Sequence, residues 1–317
     1  MLEIKELSKS YSGVRVLDCV SLSFEQKGIY GIIGGRGSGK TTLARLICGC
    51  EDASSGEVLL DGKAVSRKAR ELKKKVRFVP TSLTIDNMMT SVEYLDFVGQ
   101  TMGVEANKRY RQIKEALELC GLEECQGRPF GALTKAQRTR LSLAASLIGN
   151  PDVIVLDTPL GGVGGAELGE VLSMLGRIKT VILVSNKPTE VRELCASVAV
   201  LHGGKIAVSG TVEDIERRLN AEQQMFITVR GDKEKVFEAV SAVENVVNVT
   251  LDKVTSNNVC TYAVEYTNDD NIKDKIFASL SAIGAPMLSV RQVKLTFEDV
   301  FYSLSSNNKD ERGDGQK

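Results

Sequence analysis

Residues 34–42 read GGRGSGKTT, a glycine-rich run that closes on a lysine followed by two threonines. The pattern GxxxxGK[ST] spans Gly34 to Thr41 and carries an additional internal glycine, Gly37. Its chemistry is phosphate binding: Gly34, Gly35, Gly37 and Gly39 let the backbone wrap closely, so that successive N–H groups, those of Arg36 and Ser38 included, converge on phosphate oxygens. Lys40 adds a charged donor for the terminal phosphates, while the hydroxyls of Thr41 and Thr42 follow at the positive end of the next helix. Of these, Thr41 is the expected magnesium ligand. A second group fits beside them. Asp157 ends the apolar run VIVLD, and a carboxylate at the C-terminal edge of a parallel strand can hold magnesium through water.

The elements around these residues must place a loop between a strand and a helix. Gly28 to Ile33 is a short apolar run and Leu43 to Ile47 an apolar helical stretch, so the loop lies in the strand–loop–helix setting that its chemistry demands. Leu2 and Ile4 alternate with charged residues as a short half-buried strand, and Leu22 to Phe24 reads as another. Further apolar runs at Val76–Val79, Val153–Leu156, Val181–Val184 and Val198–Leu201, separated by helical patterns, predict buried parallel strands. From about Thr90 to Asn150 the apolar residues recur at helical spacing, which predicts an inserted helical lobe (90–150). The polar stretch Arg217 to Gln224 reads as the end of the first domain, taken as 1–220. Beyond it, over 225–304, the order is strand (Phe226–Arg230), helix (Lys233–Val243), strands around Val246–Leu251 and Val259–Tyr266, helix (Asn271–Ile283) and strand (Leu288–Leu295), a small α+β module of βαββαβ type. A short helix capped by Thr296 follows, with Glu298 and Asp299 in its first turn, and residues 305–317 are polar enough to be expected disordered.

Lys plus Arg and Asp plus Glu both count 41, so no overall basic field exists to hold nucleic acid, and none is expected as a partner. The seven cysteines form no CxxC pair and no metal-spaced cluster with His, which reads as reduced thiols of the cytosol. The chain opens directly into a strand pattern, and no stretch approaches the roughly 18 apolar residues a membrane helix needs. Membrane association is therefore expected through a partner.

The order of these pieces over about residues 1–215 resembles the nucleotide-binding domain of ABC transporters. SSGEVLLDGKAV is similar to that family's antiparallel strand, HGGKIAVSG to its late hairpin, and LTKAQRTRLSLAASLIGNPDVIVLD to its signature, following helix and second Walker strand. The fold so implied is an α/β P-loop NTPase cassette, mainly a parallel sheet with an antiparallel subdomain and a helical lobe. The cofactors implied are ATP and Mg2+. Tyr11 falls where the family stacks an aromatic ring on adenine, with ordinary packing at a strand end as the alternative. The signature reads Thr134, Lys135, Ala136, Gln137: a hydroxyl is kept, Lys135 fits the export-type branch, and Ala136 replaces a glycine. LTFEDVFYSL, near the end, also resembles the tail of export-type subunits. By the same resemblance Val92, Leu95 and Phe97 are candidates for the surface that meets a membrane subunit, or else core residues of the lobe. His202 sits in a hairpin and is not expected to be catalytic.

Four departures from the family pattern accompany these matches. The catalytic Glu after the Walker Asp is Thr158, the switch His is Asn186, the Q-loop Gln is Thr81, and the D-loop reads LGGVGG without a polar side chain. A positioned general base contributes roughly 10²–10⁴ in rate, and a threonine cannot accept the proton near neutral pH. The expectation is an ATP-binding subunit of an exporter, with hydrolysis at its own site weak or absent. It would sit at the inner face of the membrane through an integral-membrane permease, in a heterodimer with a second nucleotide-binding subunit. The alternative is a regulatory nucleotide-binding module that controls a permease or another partner.

Overall fold

The computed structural model describes residues 1–66, 68–69, 74–157, 165–219, 222–256, 258–267, 271–293, 297–298 and 301. The chain divides into two compact units, Met1–Val212 and Glu213–Val300.

In the first unit, β1 (Leu2–Tyr11) and β2 (Val14–Phe24) form a long antiparallel hairpin. Its turn, Ser12-Gly13, has φ of 47° and 85°, the positive pair that a two-residue hairpin turn requires. The sequence predicts only short strands here, at Leu2–Ile4 and Leu22–Phe24, and the difference has a local cause. Register shifts break the alternation, and Glu6 and Cys19 take φ of 47° and 49°, so the apolar period of two is lost in mid-strand.

Next come β3 (Gly28–Ile33), α1 (Lys40–Ile47), β4 (Ser55–Leu60), β5 (Lys63–Ala64) and β6 (Val76–Val79). The helical lobe follows, with α2 (Ser91–Thr101), α3 (Ala106–Leu119) and α4 (Lys135–Leu147). Thr90 starts α2 with a capping box, its hydroxyl accepting from Glu93 N while the Glu93 carboxylate accepts from Thr90 N at 2.8 Å. The unit continues with β7 (Val153–Asp157), α5 (Gly165–Ile178), β8 (Thr180–Ser185), α6 (Pro188–Leu194), β9 (Ser197–His202) and β10 (Lys205–Gly210). One sheet has the order β2-β1-β4-β5, and the central sheet the order β10-β9-β3-β8-β7-β6. Within the central sheet β9, β3, β8, β7 and β6 run parallel, and β10 is an antiparallel edge. Leu43, Ala44, Leu46 and Ile47 of α1 pack with Leu2, Leu17 and Val20 from the hairpin and Ile32, Val155 and Ile182 from the central sheet. The helix that opens at the glycine-rich loop is thus clamped between two sheets.

α7 (Val212–Leu219) bridges the division of the chain, and β11 (Glu222–Arg230) follows it closely. Within the polar stretch 217–224, α7 ends at Leu219 and β11 begins at Glu222, and α7 carries buried Val212 and Ile215 on one apolar stripe. The second unit adds α8 (Lys233–Ser241), β12 (Val246–Ser256), β13 (Val259–Thr267), α9 (Ile272–Ala282) and β14 (Met287–Val293), in the antiparallel sheet order β12-β13-β11-β14. Alternate residues of β11 and β13, Met225, Ile227, Val229, Tyr262, Val264 and Tyr266, pack beneath Val236, Val240, Ile276 and Leu280 of the helices. Thr296, Asp299 and the tail 305–317 lie outside the described residues.

Of the three apolar candidates on α2, Leu95 is fully buried and serves the core of the lobe, whereas Phe97 is exposed. Leu95→Ala should therefore cost about 2–5 kcal/mol in a denaturant titration, and Phe97→Ala less than about 0.5 kcal/mol.

Candidate functional site

The site is built at the C-terminal edge of the central sheet, where loops leaving adjacent parallel strands meet. In the order β3-β8-β7-β6 the strand ends deliver, side by side, the glycine-rich loop, Asn186, Asp157 and Thr81. Residues far apart in the chain become neighbours because the strands are. The Thr41 hydroxyl donates to Asp157 Oδ2 at 2.9 Å, and the Thr81 hydroxyl donates to the Asp157 carbonyl at 3.0 Å.

Two glycines explain the loop's composition. A Cβ on Gly34 would stand 2.4 Å from the Leu201 carbonyl and 2.5 Å from Ser38 Oγ, so the backbone passes where no side chain fits. Gly39 has a φ of 99° at the N-cap of α1, a conformation strained for other residues. Ser38 is buried inside the turn, while Arg36 and Gly37 are exposed. The Lys40 ammonium donates to the carbonyls of Gly34 and Gly35 at 2.8 and 2.7 Å and reaches Ser38 Oγ at 3.4 Å. Burial holds its pKa below the usual lysine value, and the Asp157 charge opposes that shift. The lysine is thus a partly desolvated charge, held beside the aspartate at the mouth of one loop.

Tyr11 lies at the end of β1 next to α1. Its hydroxyl donates to Glu51 Oε2, Lys9 Nζ stands 5.0 Å from the ring centroid, and the ring remains 40% exposed. Partial burial and then the Glu51 hydrogen bond raise its pKa, while a hydrogen bond with Thr42 lowers it, which ties the ring to the first turn of α1. Glu51 was not anticipated from sequence. It also pairs with Arg45 at 3.3 Å, and no local pattern marks a carboxylate four residues past a helix end as a partner of Tyr11.

At the end of β8, fully buried Ser185 donates to Glu190 Oε2 at 2.9 Å and accepts from Lys187 N at 3.1 Å. This clamp fixes the turn that displays Asn186, which is exposed. Pro188 at the start of α6 suits it, since the missing N–H falls where a helix has no internal acceptor. Thr158 and the run 160–164 lie outside the described residues.

Thr134 to Gln137 open α4 in the helical lobe. Thr134 Oγ1 accepts from Gln137 N at 3.2 Å, and Gln137 Oε1 accepts from Thr134 N at 2.9 Å, a reciprocal cap. Gln137 Nε2 donates to Cys125 Sγ at 3.0 Å, and the Arg138 guanidinium lies 4.7 Å from the centre of the Phe130 ring. The side chains of Thr134 and Gln137 are spent on holding the helix start. What the segment presents outward is the positive end of α4, with exposed Lys135 and half-buried Ala136 at its tip.

As chemistry, this is a loop that cradles a phosphate chain, beside one hydroxyl and one carboxylate of the kind hard divalent cations prefer. Thr41 Oγ1 and Asp157 Oδ2, at hydrogen-bond distance, are the two oxygens that would hold a magnesium ion, which would neutralise phosphate charge there. Among the described residues no group of three or more His, Cys, Asp or Glu forms a metal centre of its own. The fold and the loop together define a P-loop nucleotide-binding cassette.

Comparison with known proteins narrows the class. The family model "ABC transporter" matches residues 17–161. Linearmycin resistance ATP-binding protein LnrL of Bacillus subtilis is 23% identical over 309 residues, 96% of this chain and 98% of that protein. Methionine import ATP-binding protein MetN 2 of Enterococcus faecalis is 30% identical over 247 residues, 74% of this chain and 72% of that protein. A solved ATP-binding subunit of an ABC transporter shares the fold with a TM-score of 0.63 at 20% identity, over 69% of this chain and 93% of that one. The chain belongs to the ABC transporter family as an ATP-binding subunit. Among the described residues no helix is long and apolar enough to cross a membrane.

Two substitutions test the local geometry. Gly34→Ala should destabilise the first unit by about 1–3 kcal/mol through the clash at Leu201, read as a lowered melting temperature. Thr134→Ala should cost about 1 kcal/mol through loss of the cap.

Proposed function

We propose that this chain binds Mg-ATP between its own loop and the signature of a second nucleotide-binding subunit, and itself hydrolyses ATP weakly or not at all. Residues 34–42 would hold the phosphates, Tyr11 the adenine, and Thr41 with Asp157 the magnesium ion. When bound, magnesium neutralises phosphate charge. The carrying observation is the contrast between an assembled cradle and what surrounds it. Thr41 and Asp157 are hydrogen-bonded beside Lys40, yet the neighbouring strand ends bring Thr81 and Asn186, and the residue after Asp157 in the sequence is Thr158, none of which can take a proton from water near neutral pH. Thr81 is also engaged with the Asp157 carbonyl, which keeps its short side chain at the strand ends.

Closure of two such subunits needs only that ATP bind the closed pair more tightly than the open one. A noncleaving site can therefore serve half the cycle. Reopening then falls to a conventional partner, whose ATP would meet Thr134, Lys135, Ala136 and Gln137 of this chain, and a heterodimer follows. The permease would contact the helical lobe near exposed Phe97, placing the chain at the cytoplasmic face of the membrane.

Export is the favoured direction. Lys135 and the LTFEDVF segment carry it, and LnrL, a resistance protein by name, aligns over both units. The MetN relatives, named for methionine import, favour an importer instead. Reconstitution with the permease in sealed vesicles decides between them by the side on which substrate accumulates. A purely regulatory role would show instead as a stable complex that contains no permease.

In calorimetry the chain should take up Mg-ATP, with affinity falling at least about tenfold on Lys40→Ala and on chelation of the metal. Turnover of the chain alone should be barely above background. The triple replacement Thr81→Gln, Thr158→Glu, Asn186→His should raise it by roughly 10²–10⁴-fold. Ala136→Gly should raise the activity of the mixed complex, and vigorous turnover by the unaltered chain alone would refute the proposal.

A further inference from the structure

Among the described residues, the sheet of the second unit ends in two strands with a single neighbour each, β12 and β14. Along β12 every residue from Thr250 to Thr255 is exposed, including the apolar Leu251 at 47% and Val254 at 46%. An edge with open N–H and C=O groups and apolar side chains is a template for another strand. The segment reads Thr-Leu-Asp-Lys-Val-Thr, and its chemical types are the same from either end once acid is set against base.

We infer that β12 pairs antiparallel with β12 of a second copy of this chain, about a two-fold axis between Asp252 and Lys253. Thr250 then faces Thr255 of the second copy, Leu251 faces Val254, and Asp252 faces Lys253. Each is a favourable cross-strand pair, and each occurs twice.

The pairing of β12 with β13 has three register shifts, at Val246/Asn248, Leu251/Lys253 and Val254/Ser256, and the middle one permits this register. A two-fold axis perpendicular to the sheet brings together residues of the same face, and in a regular strand Leu251 and Val254 would lie on opposite faces. Here the pairing with β13 slips between Leu251 and Lys253. Leu251 sits opposite Tyr262 and Val254 opposite Cys260, both core residues on the helix-covered face. Lys253 sits opposite Thr261, on the other face.

Charge rejects the adjacent registers. Moving the axis by half a residue sets Asp252 against itself or Lys253 against itself, and like charges directly opposite one another are destabilising. Bulges and charges commonly protect edge strands from any partner, but this combination admits one partner in one register. The pairing is independent of the nucleotide site. Where the cassettes form a heterodimer, the second copy belongs to a neighbouring assembly.

Sedimentation of the full-length chain without nucleotide is the test, since nothing at β12 depends on ATP. The expected result is a dimer, also for the Lys40→Ala chain, that weakens as salt is raised. Asp252→Lys and Lys253→Asp, made singly, should each raise the dimer dissociation constant about tenfold or more. An equimolar mixture of the two variants should recover dimers containing one of each, and the D252K/K253D double exchange should recover self-association. For the Asp252 and Lys253 variants, circular dichroism and Mg-ATP affinity should stay as in the unaltered chain. A monomer without nucleotide, single reversals that leave the dimer intact, or failure of the mixture to restore it would each overturn the inference.

Discussion

Thr41 and Asp157 stand 116 residues apart in the chain and share a 2.9 Å hydrogen bond. That contact depends on parallel strands whose C-terminal ends coincide. β3 carries the loop that precedes Thr41, β7 ends in Asp157, and β8 lies between them with Val184 and Ser185 level with both ends. Buried, almost wholly apolar strands hold this alignment, because slipping one past another would move side chains out of matched layers and drag backbone groups from their partners. The turns beyond the strands are free to be polar because the sheet beneath them is not.

The same alignment makes the site sensitive to single replacements. Lys40 brings a partly buried positive charge to the loop's base, and the Asp157 charge opposes the effect of that burial on the lysine. Around this pair the side chains at Thr81 and Asn186 are uncharged, Thr81 is tied to the Asp157 carbonyl, and the clamp of Ser185 on Glu190 fixes the turn that displays Asn186.

The helical lobe and the second unit follow a different logic, of surfaces rather than a pocket. At Thr134–Gln137 two polar side chains are used to cap α4, which leaves the backbone and the helix end facing outward. In β12 the register shift between Leu251 and Lys253, one of three along the strand, puts Leu251 and Val254 on the same face.

Much of this was legible in the residues themselves. The cradle could be read because its glycines answer a local steric demand and its lysine and threonines follow at fixed spacing. The parallel strands showed as short apolar runs, since burial on both faces removes polar residues from the sequence. Folding decided what depended on distant neighbours. The hairpin β1–β2 hid behind its bulges, Leu95 was indistinguishable in type from exposed Phe97, and the partnership of Tyr11 with Glu51 left no local trace. Sequence records the chemistry each residue brings, whereas the layering of sheets and helices alone decides which groups meet and which face water, because those contacts join segments that no short-range pattern connects.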